Sequence, residues 1–437
     1  MNRYEWAMLS ILLSIVLICP ATGTDWPQFR GPTGNGISDD AKVPLQWDDT
    51  KNLQWKTALP GPGSSSPIVS GNYVFVTCYS GYGVDRGNSG RLEDLKRHLL
   101  CLERSSGKII WSKVVDAQLP EDSFGGMGIV EHGYASNTPV TDGQRVYVFF
   151  GKSGVLAFDF KGSQLWRADV GHESSNRRWG SSASPILYGD KLIVNASEES
   201  RSIRALDKLT GKELWKAEAA ALELTYATPA VVELGDGRKE LVIGVPNEVW
   251  GLNPDTGKLT WYAATRLSGN VAPSPVAQDG IVYVVGGYPQ QQSVAIRAGG
   301  KGDVTASHVL WSSRDSSYIP SPVLHNGNLY WVSDQGIANC VEAATGKSIY
   351  RERLPNAGGE ARGAGKPFYA SVVLVGERLY AVSRTGGTYV LPAKPAFEVL
   401  AHNQLSSDPT DFNASPAISN GKILLRSNRF LYCIAGE

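Results

Sequence analysis

The strongest constraint on this chain is a unit of about 45 residues that recurs from end to end. Each unit begins with a small residue followed by proline, as in Ser184-Pro185. An alternating apolar strand follows, then a short turn and a second strand, here Lys191-Leu192-Ile193-Val194. The unit closes on a small residue, an acidic residue, a glycine and an aromatic ring four places after that glycine: Ala205, Asp207, Gly211 and Trp215. Pro67, Pro139, Pro185, Pro229, Pro275, Pro322 and Pro416 mark unit starts, with Pro139, Pro185 and Pro229 spaced 46 and 44 residues apart. The interval from Pro322 to Pro416 holds two units, the second beginning at Ser371-Val372 without its proline. Period-two alternation is the pattern of strands. Self-similarity at this period means units that bury their apolar faces only against neighbours.

The aromatic markers are Trp111, Trp166, Trp215, Trp261, Trp311, Tyr350 and Phe397, with an eighth, Trp55, ahead of the first proline marker. The last unit runs from Pro416 to Cys433 and stops before a marker of its own. Residues 52–58 supply the missing outer strand. The expected fold is therefore all-β: an eight-bladed β-propeller of tryptophan-docking repeats, its ring closed by the N-terminal strand. Closure removes the open strand edges that seed aggregation. An open solenoid would need polar caps, and the sequence offers none. Residues 1–23 read as a signal peptide, with Arg3 before the apolar run 7–18 and Ala21-Thr22-Gly23 as small residues for cleavage. Residues 24–437 then form one propeller domain, with a lead-in over 24–51 and the closing strand over 52–58. The protein is expected in the periplasm or secreted, as a monomer, with no membrane span after cleavage.

The repeat assigns structural roles. Trp55, Trp111, Trp166, Trp215, Trp261, Trp311 and Tyr350 are expected to dock on a small residue of the preceding strand, each indole N–H reaching a backbone carbonyl. The small position holds Cys101, Ala157, Ala205, Gly251, Cys340 and Cys433, so three cysteines read as buried thiols in alanine-sized slots. A Cys78–Cys101 disulfide would need a displaced hairpin register. The chain carries 42 basic and 42 acidic residues, a balance that argues against binding nucleic acid by phosphate neutralisation.

The motif Ala205-x-Asp207-x-x-Thr210-Gly211-x-x-x-Trp215 resembles the repeat of quinoprotein alcohol dehydrogenase-like propellers, the PQQ-like repeat. Echoes run through Glu103, Gly107 and Trp111; Asn253, Gly257 and Trp261; and Glu342, Gly346 and Tyr350. The opening Asp25-Trp26-Pro27-Gln28-Phe29-Arg30-Gly31-Pro32 is similar to the start of many secreted PQQ-like repeat proteins of planctomycete-type bacteria. The resemblance implies one of two functional classes. One is the quinoprotein dehydrogenases, which hold PQQ and Ca²⁺ above the central channel. The other is non-catalytic, such as the propeller lipoprotein of the outer-membrane barrel-assembly machinery. The repeat is structural in both. A dehydrogenase of this family is expected to carry an adjacent Cys-Cys pair and a Glu, Asn and Asp set for Ca²⁺. The chain has no Cys-Cys, and no matching ligand set maps onto it.

Long loops carry the functional expectation, because binding concentrates on loops held by a rigid scaffold. Insertions over 79–98 and 116–135 are expected side by side above the channel mouth. Tyr134, Trp179, Tyr226, Asn270, Tyr318, Tyr369 and Asn413 precede the inner strands and should ring that mouth, with His172, Arg177 and Arg178 from segment 171–182 beside them. Such aromatic and guanidinium groups suit an anionic or sugar-like ligand; the alternative is that the rings simply plug the channel. His132 and His172 with Glu131 and Glu173 lack a third metal ligand at suitable spacing. The expected function is an exported, non-catalytic scaffold that binds a protein or polysaccharide partner at its loop face and needs no cofactor. The alternatives are a divergent PQQ-dependent dehydrogenase with Ca²⁺ and a carbohydrate-binding propeller.

Overall fold

The computed structural model describes residues 25–40, 42–126, 128–357 and 366–436; the expected signal peptide lies outside them. Eight sheets of four or five strands radiate from a central axis. In each blade the middle strands are covered on both faces by neighbouring blades, and the outer strand is covered on one. The residue patterns follow: Lys191–Ala196 is buried almost throughout, whereas Glu213–Glu218 alternates about the buried Trp215. The ring closes as expected. Leu53–Ala58 pairs antiparallel with Phe430–Ala435 and places Trp55 opposite Cys433.

The small residue before each marker proline has a specific job. The inner strands converge at the axis, where only short side chains fit. The Ser66 N–H donates to Thr138 Oγ1, the Thr138 N–H to Ser184 Oγ, and the Ser184 N–H to Thr228 Oγ1, each at 3.0 Å. The series continues from Thr228 to Ser274 at 3.2 Å and then through Ser321, Ser371 and Ser415, each at 2.9 Å. This hydroxyl belt joins consecutive blades around the axis. The following proline has no N–H, so it leaves no unpaired donor on an edge that faces the channel. At the seam between the last blade and the first, the Arg426 guanidinium takes over, donating to Ser65 O at 2.8 Å and Ser65 Oγ at 2.6 Å.

Tryptophan docking holds the blades at their rim. Each ring faces the small residue across its own hairpin: Trp111 opposite Cys101, Trp166 opposite Ala157, and Trp215 opposite Ala205. Its other face meets the glycine of the next blade's turn. A Cβ on Gly257 would stand 2.4 Å from the Trp215 ring, and one on Gly211 2.6 Å from Trp166. The indole N–H then donates to a turn carbonyl of that next blade, as Trp215 does to Pro254 at 3.0 Å and Trp111 to Phe160 at 2.9 Å. Docking is thus an inter-blade bond.

Three positions depart from the expected pattern. Residues 298–308 are inserted into the fifth blade and remove its turn, so Trp261 donates instead to the buried Glu240 carboxylate at 2.6 Å. Glu240 Oε2 also accepts the Gly299 N–H at 3.0 Å, which fixes the insertion. Phe397 lies outside any strand and packs edge-on against Tyr350 at 5.8 Å, rather than docking for its own blade. Ala401 sits opposite Val390 where the other blades carry a ring. Trp47 from the lead-in compensates, stacking on Tyr380 at 6.2 Å. All four described cysteines are buried free thiols, and Cys78 pairs with His98 rather than facing Cys101.

The lead-in closes one end of the channel. Trp26 forms a bridge with Val69, the Thr141 N–H donates to Pro27 O, and Ile37–Ser38 adds a parallel strand to Val373–Val375. Phe29 thereby reaches the channel floor.

Candidate binding site at the channel mouth

At the other end, inner-strand starts and loops form a solvent-connected pit of about 160 Å³. Trp179, Tyr226, Asn270, Tyr318, Tyr369 and Asn413 line it, as the sequence predicts. They come together because each immediately precedes an inner strand, and the belt fixes the starts of those strands. Trp179 stacks on Tyr226 at 6.0 Å, and Tyr288 lies 4.8 Å from Tyr318. The belt hydroxyls and Phe29 form the floor.

Four predicted residues lie elsewhere. Tyr134 is buried in a satellite core with Tyr79, Tyr82, Leu95 and Ile129, where the two insertions of the first blade fold onto each other. Its hydroxyl donates to Asp122 O at 2.7 Å. His172 is exposed and pairs with Asp169 at 3.4 Å. Arg177 lies over the Trp179 ring at 5.8 Å, outside the pit wall, and Arg178 is exposed on a turn of positive φ. The loop keeps these charges in water, where solvation costs least. The His and Glu pairs considered for a metal do not converge either. His132 lines the pit with both nitrogens engaged: Nε2 donates to Trp179 O at 2.8 Å and Nδ1 lies 2.6 Å from Ser136 Oγ. Burial lowers its pKa, against the pull of the Trp179 carbonyl and Glu131, and so favours the neutral ring. Glu173 pairs with Arg201.

Ion pairs lock the rim. Arg384 binds Glu131 at 2.7 Å and Asp411 at 2.6 Å, joining the seventh blade to the first blade's insertion across the mouth, and lies over Tyr369 at 4.5 Å. Burial raises the Glu131 pKa, but Arg384 and Arg86 outweigh it and hold the carboxyl below its usual range. Lys366 rests 3.3 Å above the Tyr318 ring and 3.8 Å from Asp334, with its pKa lowered by burial. Burial also pushes the Tyr318 phenol up to about 12. Among the described residues, no group of three or more His, Cys, Asp or Glu side chains is placed to hold a metal ion.

A second, enclosed chamber of about 20 Å³ adjoins the mouth, and sequence reasoning missed it. Glu121, Asp122, Glu198 and Glu199 share it with Arg97 and Lys152. Arg97 binds Glu121 at 2.5 Å, and Lys152 lies 3.4 Å from Asp122. Glu198 and Glu199 are left with acid in excess of base, and each keeps an unpartnered buried oxygen. Burial, then the neighbouring Glu198 charge, pushes Glu199 up to about 8. The sequence signals are two adjacent acidic pairs, Glu121-Asp122 and Glu198-Glu199, the second separated by Ser197 from the apolar strand Lys191–Ala196.

Comparison with known proteins agrees with this architecture. Among solved structures, BamB from Moraxella catarrhalis superposes with a TM-score of 0.59 at 14% identity, covering 88% of this chain and 97% of that one. A europium-containing methanol dehydrogenase gives a TM-score of 0.60 at 10% identity, covering 92% and 89%. At these identities the likeness is one of fold. Among curated proteins, the tetrathionate hydrolase of Acidithiobacillus ferrooxidans is 23% identical over 284 residues, 56% of this chain and 54% of that protein. The tetrathionate hydrolase of Acidianus ambivalens is 30% identical over 128 residues, 25% of this chain and 24% of that one. The chain thus spans about half of one curated relative and a quarter of the other. The family model described as outer membrane protein assembly factor BamB matches residues 80–221 and 194–352, together more than half of the sequence. By its repeats, its eight-bladed ring and this match, the chain belongs to the outer membrane protein assembly factor BamB family of PQQ-like propellers.

Proposed function

We propose that this protein is an exported propeller scaffold that performs no chemistry of its own and engages a partner protein or polymer through the loop face around the channel mouth. The observation that carries the reading is the state of the rim. Arg384 pairs with both Glu131 and Asp411, Arg86 also meets Glu131, Lys366 pairs with Asp334, and both His132 nitrogens are occupied. General acid–base work needs a titratable group free to meet a substrate. The two first-blade insertions instead form a packed shelf beside the mouth, a rigid surface suited to recognition. The family description supports the same direction, and among the described residues no helix is long and apolar enough to cross a membrane. The quinoprotein alternative would need a hard-cation site beside the quinone. The rim carboxylates Glu131, Asp411 and Asp334 are committed to Arg384 and Lys366, and among the described residues no three His, Cys, Asp or Glu side chains are placed to hold a metal ion.

Two assays test the reading. Purified protein titrated with PQQ and Ca²⁺, then given alcohols and a dye acceptor, should reduce no dye; reduction would overturn the scaffold role. A photo-cross-linking residue at Arg178 should capture one specific partner in the source organism, while the same residue at Lys113 on the outer rim should not. The curated relatives favour one second reading, hydrolysis of tetrathionate. Incubation with tetrathionate and measurement of thiosulfate decides it, and release above the buffer rate would establish it.

A further inference from the structure

We propose that the pit at the channel mouth is a binding site for one neutral, hydroxylated ring, the end residue of a glycan. This goes beyond scaffolding but rests on the reading that the loop face is the binding face. Size sets the first limit. A pit of about 160 Å³ matches cavities that admit a single six-membered ring, so a chain end fits and a polymer middle does not.

Charge sets the second limit. Among the described residues, no Asp, Glu, Lys or Arg lines the pit. The cations against its rings, Lys366 over Tyr318 and Arg384 over Tyr369, are paired with Asp334 and with Glu131 and Asp411, and burial favours the neutral form of His132. A carboxylate or ammonium buried there would lose hydration and meet only charges that already have partners. Polar chemistry sets the third. Each belt hydroxyl in the floor accepts a backbone N–H and so keeps its own hydrogen to donate. Asn413 is 7% exposed, its Nδ2 donates to Glu131 O, and its buried Oδ1 has no partner among the described residues. The floor therefore offers donors, matched to a ring whose hydroxyls accept. The walls carry the rings of Trp179, Tyr318 and Tyr369, apolar surface that suits the C–H face of a sugar; Lys366 covers one face of Tyr318 and Arg384 one face of Tyr369.

The test is an array of glycans with neutral, uronic-acid and amino-sugar ends, followed by calorimetry with the best neutral oligosaccharide. Neutral ends should bind, and the matching uronate-ended compound should bind at least ten-fold more weakly. Trp179→Ala and Tyr318→Leu, each checked for native circular dichroism, should weaken binding at least ten-fold, and Lys113→Ala in the outer strand should leave it unchanged. Preference for charged ends, no binding to any end, or binding indifferent to both pit variants would overturn the assignment. So would a cross-linker at Trp179 that captures a peptide side chain in the pit. The two readings fail separately. If glycans do not bind while the Arg178 cross-linker captures its partner, the scaffold stands and the pit assignment falls; glycan binding without any cross-link gives the reverse.

Discussion

Replacing Trp215 with alanine should cost about 4 kcal/mol, and the structure shows where that comes from. The side chain is 8% exposed, held between Ala205 across its hairpin and the Gly257 turn of the next blade. A buried aromatic of this kind removes roughly 150–250 Å² from water, worth about 4–6 kcal/mol at ~25 cal/mol per Å². Loss of the 3.0 Å bond to Pro254 adds about 1 kcal/mol, and relaxation of the rim into the space subtracts some of the total. Trp215→Phe keeps an aromatic ring over Gly257 and loses only the donor, so it should cost about 1–2 kcal/mol. Leu214→Ala, at the neighbouring position, is the control: Leu214 is 44% exposed and its loss should cost less than about 0.5 kcal/mol. Denaturant unfolding followed by far-ultraviolet circular dichroism gives all three values. A loss below about 1 kcal/mol for Trp215→Ala, or equal losses at 214 and 215, would refute inter-blade docking as a source of stability.

Two further outcomes follow from the same geometry. Gly257→Val should destabilise by at least about 2 kcal/mol, because φ is +69° and the new Cβ would enter the Trp215 ring; a neutral thermal shift would contradict the docking geometry. Glu199 sets a pH dependence. Its folded pKa of about 8 lies above its unfolded value of 4.5, so the folded state holds the proton more tightly; the stability this brings is complete below pH 4.5 and is lost as pH rises to about 8. Facing Glu198, Glu121, Asp122, Arg97 and Lys152, Glu199→Gln should flatten that slope and stabilise the protein at pH 8 on the order of a few kcal/mol; parallel wild-type and variant melting curves across pH 5–9 would show the chamber to be ionised throughout.

The ring was legible in the sequence because its rules are local and repeated. Proline, glycine and tryptophan each mark a fixed place in a blade, and Trp55 ahead of the first unit pairs with Cys433 at the tail. The mouth was legible through the same register, since Trp179, Tyr226, Asn270, Tyr318 and Tyr369 all stand just before an inner strand. Tyr134 follows that rule yet misses the mouth, because the insertions beside it carry enough apolar side chains to build a core of their own. Trp47 and Glu240 were illegible for a related reason. Each repairs a unit that lacks its docking ring or turn, from a position the repeat does not mark. The acid chamber was hidden because Glu121 and Asp122 come from a loop and Glu198 and Glu199 from the one-turn helix Ser197–Ser200, and charged residues on such connections read as solvated until the fold encloses them.

Every site above depends on residues from several blades meeting around one axis, so the closing strand is the place to probe. Ala58 stands directly opposite Phe430, and the described native cysteines are all buried. The double variant Ala58→Cys, Phe430→Cys should form an intrachain disulfide under mild oxidation, seen as a faster band on a non-reducing gel that reverts with reductant. Failure to cross-link in folded protein, or cross-linking no better than an Ala58→Cys, Lys113→Cys pair, would mean that the two ends do not share a sheet and that the mouth is not assembled as described.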